Sequence, residues 1–129
     1  MIVVDSSVWI NRLRNVSTDA TRTLDAIADP RQIVVGDIVM LEVLQGARTE
    51  ERAAHLERML RRFRVLAMLS EPLALKAAAH YRSLRRKGVT VRSPIDVIIG
   101  TFCIEHGHML LQDDRDFRPL AEHLGLQLI

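Results

Sequence analysis

Apolar residues recur along this chain in two alternating rhythms, short unbroken runs and longer stretches with helical spacing. Ile2 to Val4 is wholly apolar and β-branched and ends at Asp5, which predicts a strand buried on both faces of a parallel sheet. Ser6 or Ser7 is placed to cap a helix to about Arg14, and Asp19 another to about Ala28, broken at Pro30. Ile33 to Val35, closed by Gly36, predicts a second strand, and Asp37 is placed to cap a helix ending near Gly46. Residues 50–63 put Leu56, Met59, Leu60 and Phe63 on one helical face. Val65 to Met68 predicts a third strand and Glu71 to Lys87 a long helix stopped by Gly88. Ser93-Pro94 opens the next helix, to about His106 with Gly107 as its stop. His108 to Leu111 predicts a fourth strand, and Phe117 to His123 a short helix before Leu126 to Ile129. This alternation predicts an α/β fold, a three-layer α/β/α sandwich around a mainly parallel sheet with right-handed crossovers. With no repeat and no Gly/Ser linker, residues 1–129 are expected to form a single domain.

Composition narrows the function classes. The chain is 48% apolar and 26% charged, the balance of a soluble globule. Asp5, Asp37, Glu42 and Asp96 interrupt every greasy stretch, so no membrane-spanning helix is expected. The opening Met1-Ile2-Val3-Val4-Asp5 does not look like a secretory signal, and the lone Cys103 forms no internal disulfide. Both suit the cytoplasm. The formal charge is +2, yet 16 of the 18 basic residues are arginine. Setting aside Asp5, Glu42, Asp96, Asp113, Asp114 and Asp116, those eighteen cations face only ten other acids. A basic body around an acidic focus suits a phosphate-backbone ligand, because guanidinium forks match phosphate geometry. Arginines decorating solvated helices give the same count.

In open parallel sheets the chemistry lies beyond the carboxyl ends of the strands. Asp5 ends the first strand, and Asp113-Asp114 follow the fourth after one glutamine. Glu42 is the only polar side chain from Ile38 to Leu44, so it either faces a narrow solvent stripe or is compensated by a cation. Gly46, one turn on, admits another chain segment or a ligand. Ser93-x-x-Asp96 has the spacing of a capping box, which accounts for Asp96 structurally; the same placement fixes a carboxylate rigidly at a helix start. Asp114 or Asp116 is placed to cap the last helix. Should Asp5, Glu42, Asp96 and Asp114 converge, each pair ~4 Å apart repels by up to ~4 kcal/mol at an effective dielectric near 20. Such a cluster needs a cation, and oxygen-only ligands point to Mg²⁺ or Mn²⁺ rather than zinc. The implied chemistry is metal-assisted hydrolysis of a nucleic-acid backbone.

Four segments in one order carry a resemblance: Asp5-Ser6-Ser7 after an apolar strand, Glu42-Val43-Leu44-Gln45-Gly46-Ala47, Arg92-Ser93-Pro94-Ile95-Asp96 opening a helix, and Asp114-Arg115-Asp116-Phe117 after a late strand. Together, over residues 2–117, the chain resembles a PIN-domain ribonuclease, in particular the VapC-like toxins of type II toxin–antitoxin pairs. The resemblance implies a PIN-like fold and a Mg²⁺-dependent endoribonuclease. It further implies that Asp5, Glu42, Asp96 and Asp114 form the acidic quartet, joined by Asp116 as an auxiliary acid. A homodimer and a cognate VapB-like antitoxin that covers the site follow from it too. Ser6 stands where the family often has threonine, and the Asp113-Asp114 pair leaves the choice of fourth acid between Asp113, Asp114 and Asp116, with Asp114 fitting the D-x-D-F spacing.

Arg85, Arg86 and Arg92 flank the loop leading to Asp96 and, with Ser6, are the expected substrate-binding groups; Arg58, Arg61, Arg62 and Arg64 read better as a solvated face. His106-Gly107-His108 reads as a helix end rather than a metal pair, and Cys103 as core. No Walker loop, G-x-S-x-G elbow or G-x-G-x-x-G is present, and four aromatics besides Trp9 make no base-stacking platform. An aspartyl phosphotransferase or a receiver-like domain would share the acidic pocket and Mg²⁺ but needs a late lysine, and no lysine follows Lys87. A non-catalytic interaction module, with its acids serving only as caps, is the remaining alternative.

Overall fold

Four strands, β1 (Ile2–Val4), β2 (Ile33–Gly36), β3 (Arg64–Leu66) and β4 (Met109–Leu111), form one parallel sheet in the order β3-β2-β1-β4. The computed structural model describes residues 1–129. Seven helices connect the strands: α1 (Ser6–Leu13), α2 (Asp19–Ala26), α3 (Asp37–Gln45), α4 (Glu50–Leu60), α5 (Glu71–Arg86), α6 (Pro94–His106) and α7 (Arg118–Leu124). They pack in two groups, α1 with α2 and α3, and α3 with α4, against α5, α6 and α7 with one another. The sequence-predicted sandwich is therefore the observed architecture. The strand order makes a topological switch, since β2 and β3 are laid down on one side of β1 and β4 on the other. Such a switch opens a crevice at the carboxyl ends of β1 and β4, where the strand order reverses.

β1 and β2 are buried at every position, which explains why their sequences are unbroken rather than alternating. Ile2 pairs with Ile33 on one side and Met109 on the other, and Asp5 N–H continues the ladder to Leu111 O at 2.9 Å. An isolated parallel bridge between Leu110 and Leu128 covers the outer edge of β4. The core runs from the sheet into both helical layers, with Phe117, Leu60, Leu84, Ile99 and Leu110 fully enclosed. Two glycines exist for close packing: a side chain at Gly36 would occupy the space of the Met68 thioether, and one at Gly100 that of Leu120. No helix is long and apolar enough to cross a membrane.

The caps differ from expectation in informative ways. Asp5, not Ser6 or Ser7, caps α1: it leaves the strand extended and its Oδ2 accepts from Ser7 N–H at 3.1 Å. Thr18 rather than Asp19 caps α2, in a reciprocal box with Thr21. Gly36 occupies the cap position of α3, and Asp37 is its first residue. Asp37 Oδ1 accepts from Met68 N–H at 3.0 Å as well as from Ile38 N–H. That bond takes the Met68 amide out of the ladder, so β3 ends at Leu66 instead of reaching Met68. α4 stops at Leu60, three residues short of the predicted end, and Phe63 turns inward to meet Trp9 with ring centroids 5.3 Å apart. Gly107, at φ 67°, closes α6 as expected.

Candidate active site

The acids scattered along the chain meet beyond the carboxyl ends of β1 and β4. Asp5 comes from the end of β1, Glu42 from the second turn of α3, Asp96 from the first turn of α6, and Asp114 and Asp116 from the turn after β4. Carboxylate oxygens of Asp96, Asp114 and Asp116 all lie within 4.8 Å of one another. Asp5 is only 3% exposed and Asp96 8%. The Asp96 carboxyl is pushed up to about 7, first by burial and then by the charges of Asp5, Asp114, Asp116 and Glu42. Glu42 is also raised, by burial and by Asp5 and Asp114, although Ser6 Oγ donates to its Oε1 at 3.1 Å. Burial raises Asp5 against the hydrogen bonds it accepts from Ser7 and Ser6, with Asp114 adding repulsion.

The capping-box reading of Asp96 does not hold. Ser93 Oγ accepts from Ile95 N–H at 3.2 Å, and the Asp96 carboxylate makes no return bond to Ser93. The helix start is satisfied by Ser93 and Pro94 alone, leaving the Asp96 carboxylate directed to the cluster. Asp114 does cap the turn over Arg115–Phe117, its Oδ1 accepting from Asp116 N–H at 2.9 Å. That single bond sets the two carboxylates side by side.

The double aspartate resolves by geometry. Asp113 turns away from the cluster, its Oδ2 accepting from Asn11 Nδ2 at 3.0 Å and Thr18 Oγ1 at 2.8 Å. Its own N–H donates to Ser7 Oγ at 3.1 Å, and the same hydroxyl donates to Asp5 Oδ2 at 2.6 Å. Asp113 thus anchors the turn after β4 onto α1 and α2, and Ser7 couples it to Asp5. Sequence reasoning did not single out Ser7 or Asn11 for this work, though their four-residue spacing places both on one face of α1.

Among the expected substrate-binding groups, Ser6 is buried with its hydroxyl committed to Glu42, so it positions that acid. Arg85 and Arg92 line a cavity of about 560 Å³ between α5 and the start of α6, with Tyr81 and Arg82. The Arg85 guanidinium lies 5.9 Å from the Tyr81 ring centroid. Arg86 is exposed and does not line that cavity. A cluster of arginines that the sequence did not mark, Arg14, Arg48 and Arg52, lines a second cavity with Glu42 and Gly46.

The residues fit a hard divalent cation. Five carboxylates meet here and none forms an ion pair, since the protein's salt bridges lie elsewhere, at Arg12–Asp25, Arg22–Asp19, Arg31–Asp29, Arg61–Glu57 and Lys76–Glu105. The donors are all oxygen, with no thiolate or imidazole among them. His106 and His108 stack on each other at the end of α6, and Cys103 is buried with its thiol pushed up to about 12 by desolvation. A receiver or phosphotransferase site would need a lysine beside the acids; of the two lysines, Lys76 is engaged by Glu105 and Lys87 is exposed at the C-terminal end of α5.

Comparison with known proteins agrees with this fold. The family model described as PIN domain matches residues 2–123. Ribonuclease VapC11 of Mycobacterium tuberculosis is 30% identical over 130 residues, which cover 98% of this chain and 96% of that protein. The same identity and coverage hold for VapC ribonuclease Mb1587 of Mycobacterium bovis. Among solved structures, VapBC2 from Rickettsia felis bound to a DNA fragment from its promoter superposes with a TM-score of 0.79 at 17% identity, covering 100% of this chain and 98% of that one. On the strength of a match that runs through all four acidic segments, the chain belongs to the PIN-domain family, among its VapC-type members.

Proposed function

We propose that this protein is a Mg²⁺-dependent endoribonuclease, with Mn²⁺ as an alternative ion, acting as the toxin of a toxin–antitoxin pair in the cytoplasm. The observation that carries the proposal is the convergence of five unpaired carboxylates at the β1–β4 switch point. Naming of the relatives as ribonucleases supports RNA as the substrate, and likeness to structures titled VapBC supports a VapB-like antitoxin as partner; a homodimer is the working form that the family resemblance implies.

In this proposal Asp5, Asp96 and Asp114 hold the cation, with Asp116 beside them. Bound there, a divalent ion supplies charge neutralisation and Lewis-acid assistance to phosphodiester hydrolysis. The chain's own residues do the rest. Ser7 fixes Asp5 Oδ2 through its hydroxyl and amide, leaving the other oxygen for the site. Ser6 holds Glu42 Oε1, so Oε2 is the atom left to take a proton from the attacking water. The raised pKa of Glu42 makes it a better proton acceptor than an ordinary carboxylate. Arginines on either side of the cluster place the backbone.

Incubating the purified protein with cellular RNA in Mg²⁺, against a chelator control, tests this. Discrete cleavage fragments are expected in Mg²⁺ only, and their loss in Asp96→Asn. Cleavage that persists unchanged in excess chelator would overturn the proposal.

A further inference from the structure

We infer that Arg14, Arg48 and Arg52 form a phosphate-binding subsite that holds the RNA backbone next to the point of cleavage, on the Glu42 side of the acidic cluster. The inference rests on the ribonuclease reading and extends it to residues that no motif marks. The three side chains come from separate elements: Arg14 ends α1, Arg48 lies in the α3–α4 loop, and Arg52 is in the first turn of α4. They converge on one open cavity of about 320 Å³ that also takes in Glu42.

Placement rather than pairing sets these arginines apart: like most arginines of the chain they have no carboxylate partner, but they share one cavity with Glu42. Three guanidinium groups brought to one cavity repel unless an anion joins them. Glu42 does not fill that role, because its carboxylate is bonded to Ser6 and raised by the acids behind it.

Gly46 supplies a second and independent observation. Its backbone, at φ −82° and ψ −5°, suits any residue, and a Cβ added there would meet nothing nearer than Val43 O at 3.7 Å. Neither backbone conformation nor a neighbouring segment requires a glycine at this position. What the missing side chain does is leave the cavity wall clear beside the three arginines. A polyanion with its scissile phosphate over the carboxylates can run its adjoining phosphates past Glu42 into this cavity, which opens beside that acid. Backbone contacts of this kind position a strand without reading its sequence.

The test measures binding of a fluorescein-labelled single-stranded RNA of mixed sequence to the full chain in a chelator, where no cleavage occurs, as a function of salt. Arg14→Ala, Arg48→Ala and Arg52→Ala are each expected to weaken binding about tenfold. The slope of log affinity against log salt should fall by about 0.7 for each arginine removed. Arg31→Ala, which removes an equal charge from an exposed, paired position, should leave the slope unchanged. In Mg²⁺ the same variants should raise KM with kcat retained, and Gly46→Leu should weaken binding while keeping the thermal midpoint. Wild-type affinity and slope in the triple arginine variant would overturn the assignment. So would a triple variant that keeps RNA but loses its protein partner, which would give the cavity to a polypeptide. Absence of RNA cleavage by the wild type in Mg²⁺ would instead count against the ribonuclease reading, whatever the arginine variants do.

Discussion

Asp96 concentrates the cost of the site in one side chain. Burial and the neighbouring acids push its carboxyl up to about 7, well above the usual carboxylate range, so folding without metal favours the protonated acid. The stabilising contribution of that proton is complete below about pH 4 and is lost as the pH rises through about 7. Asp96→Asn should therefore raise the thermal midpoint of the metal-free protein at pH 8 and leave it unchanged at pH 4. Calorimetry in a chelator at the two values checks this, and the same variant should lose RNA cleavage by several orders of magnitude. A second residue-scale outcome separates neighbouring aspartates. Asp113→Asn should keep most of kcat but cost about 1–2 kcal/mol of stability, because it weakens the anchor to Asn11 and Thr18. Asp114→Asn should do the reverse, leaving stability intact and abolishing cleavage.

At the scale of elements, strand ends and helix starts were legible in the sequence because each is marked by a change of residue type. Asp5 follows three β-branched or apolar residues, and Asp96 sits two residues after a proline that opens a helix. Which residue caps which helix was less legible, because serine, threonine and aspartate all satisfy the same amides and only the local backbone chooses. The split between Asp113 and Asp114 was not legible either, since Asn11 and Thr18 reach Asp113 from about a hundred residues away. The Arg14, Arg48 and Arg52 cavity was hidden for the same reason, its walls belonging to three separate elements. Two element-scale variants follow. Asp37→Ala should cost about 1–2 kcal/mol in chemical denaturation, as it unfastens the Met68 amide beyond β3. Gly100→Val should cost roughly 1–3 kcal/mol by driving a side chain into Leu120 of α7.

For the whole molecule, the proposed function makes folding and cation binding two ends of one equilibrium. A cluster of acids on a body otherwise rich in arginine is held together at a cost that a bound divalent ion would remove. Mg²⁺ at a hundredfold excess over its dissociation constant should add about 2.7 kcal/mol of stability. Because Asp96 must give up its proton for the ion, that gain should grow as the pH rises through about 7. Thermal scans with and without Mg²⁺ between pH 5 and pH 8 measure it, and a gain independent of pH would remove Asp96 from the ligand set.

The pairing of β1 with β4 has one further consequence. Val4 lies against Leu111, and the chain leaves that pair directly into Asp5 on one strand and, three residues on, Asp114 on the other. Adding one residue directly after Leu111 would shift the anchoring Asp113 to the place of Asp114 and swing Asp114 out of the acidic cluster. Lengthening the loop after α2, on a different connection, would leave both where they are. Tolerance to insertion should therefore be uneven along the chain, nil at the strand ends that carry the acids and generous one helix away.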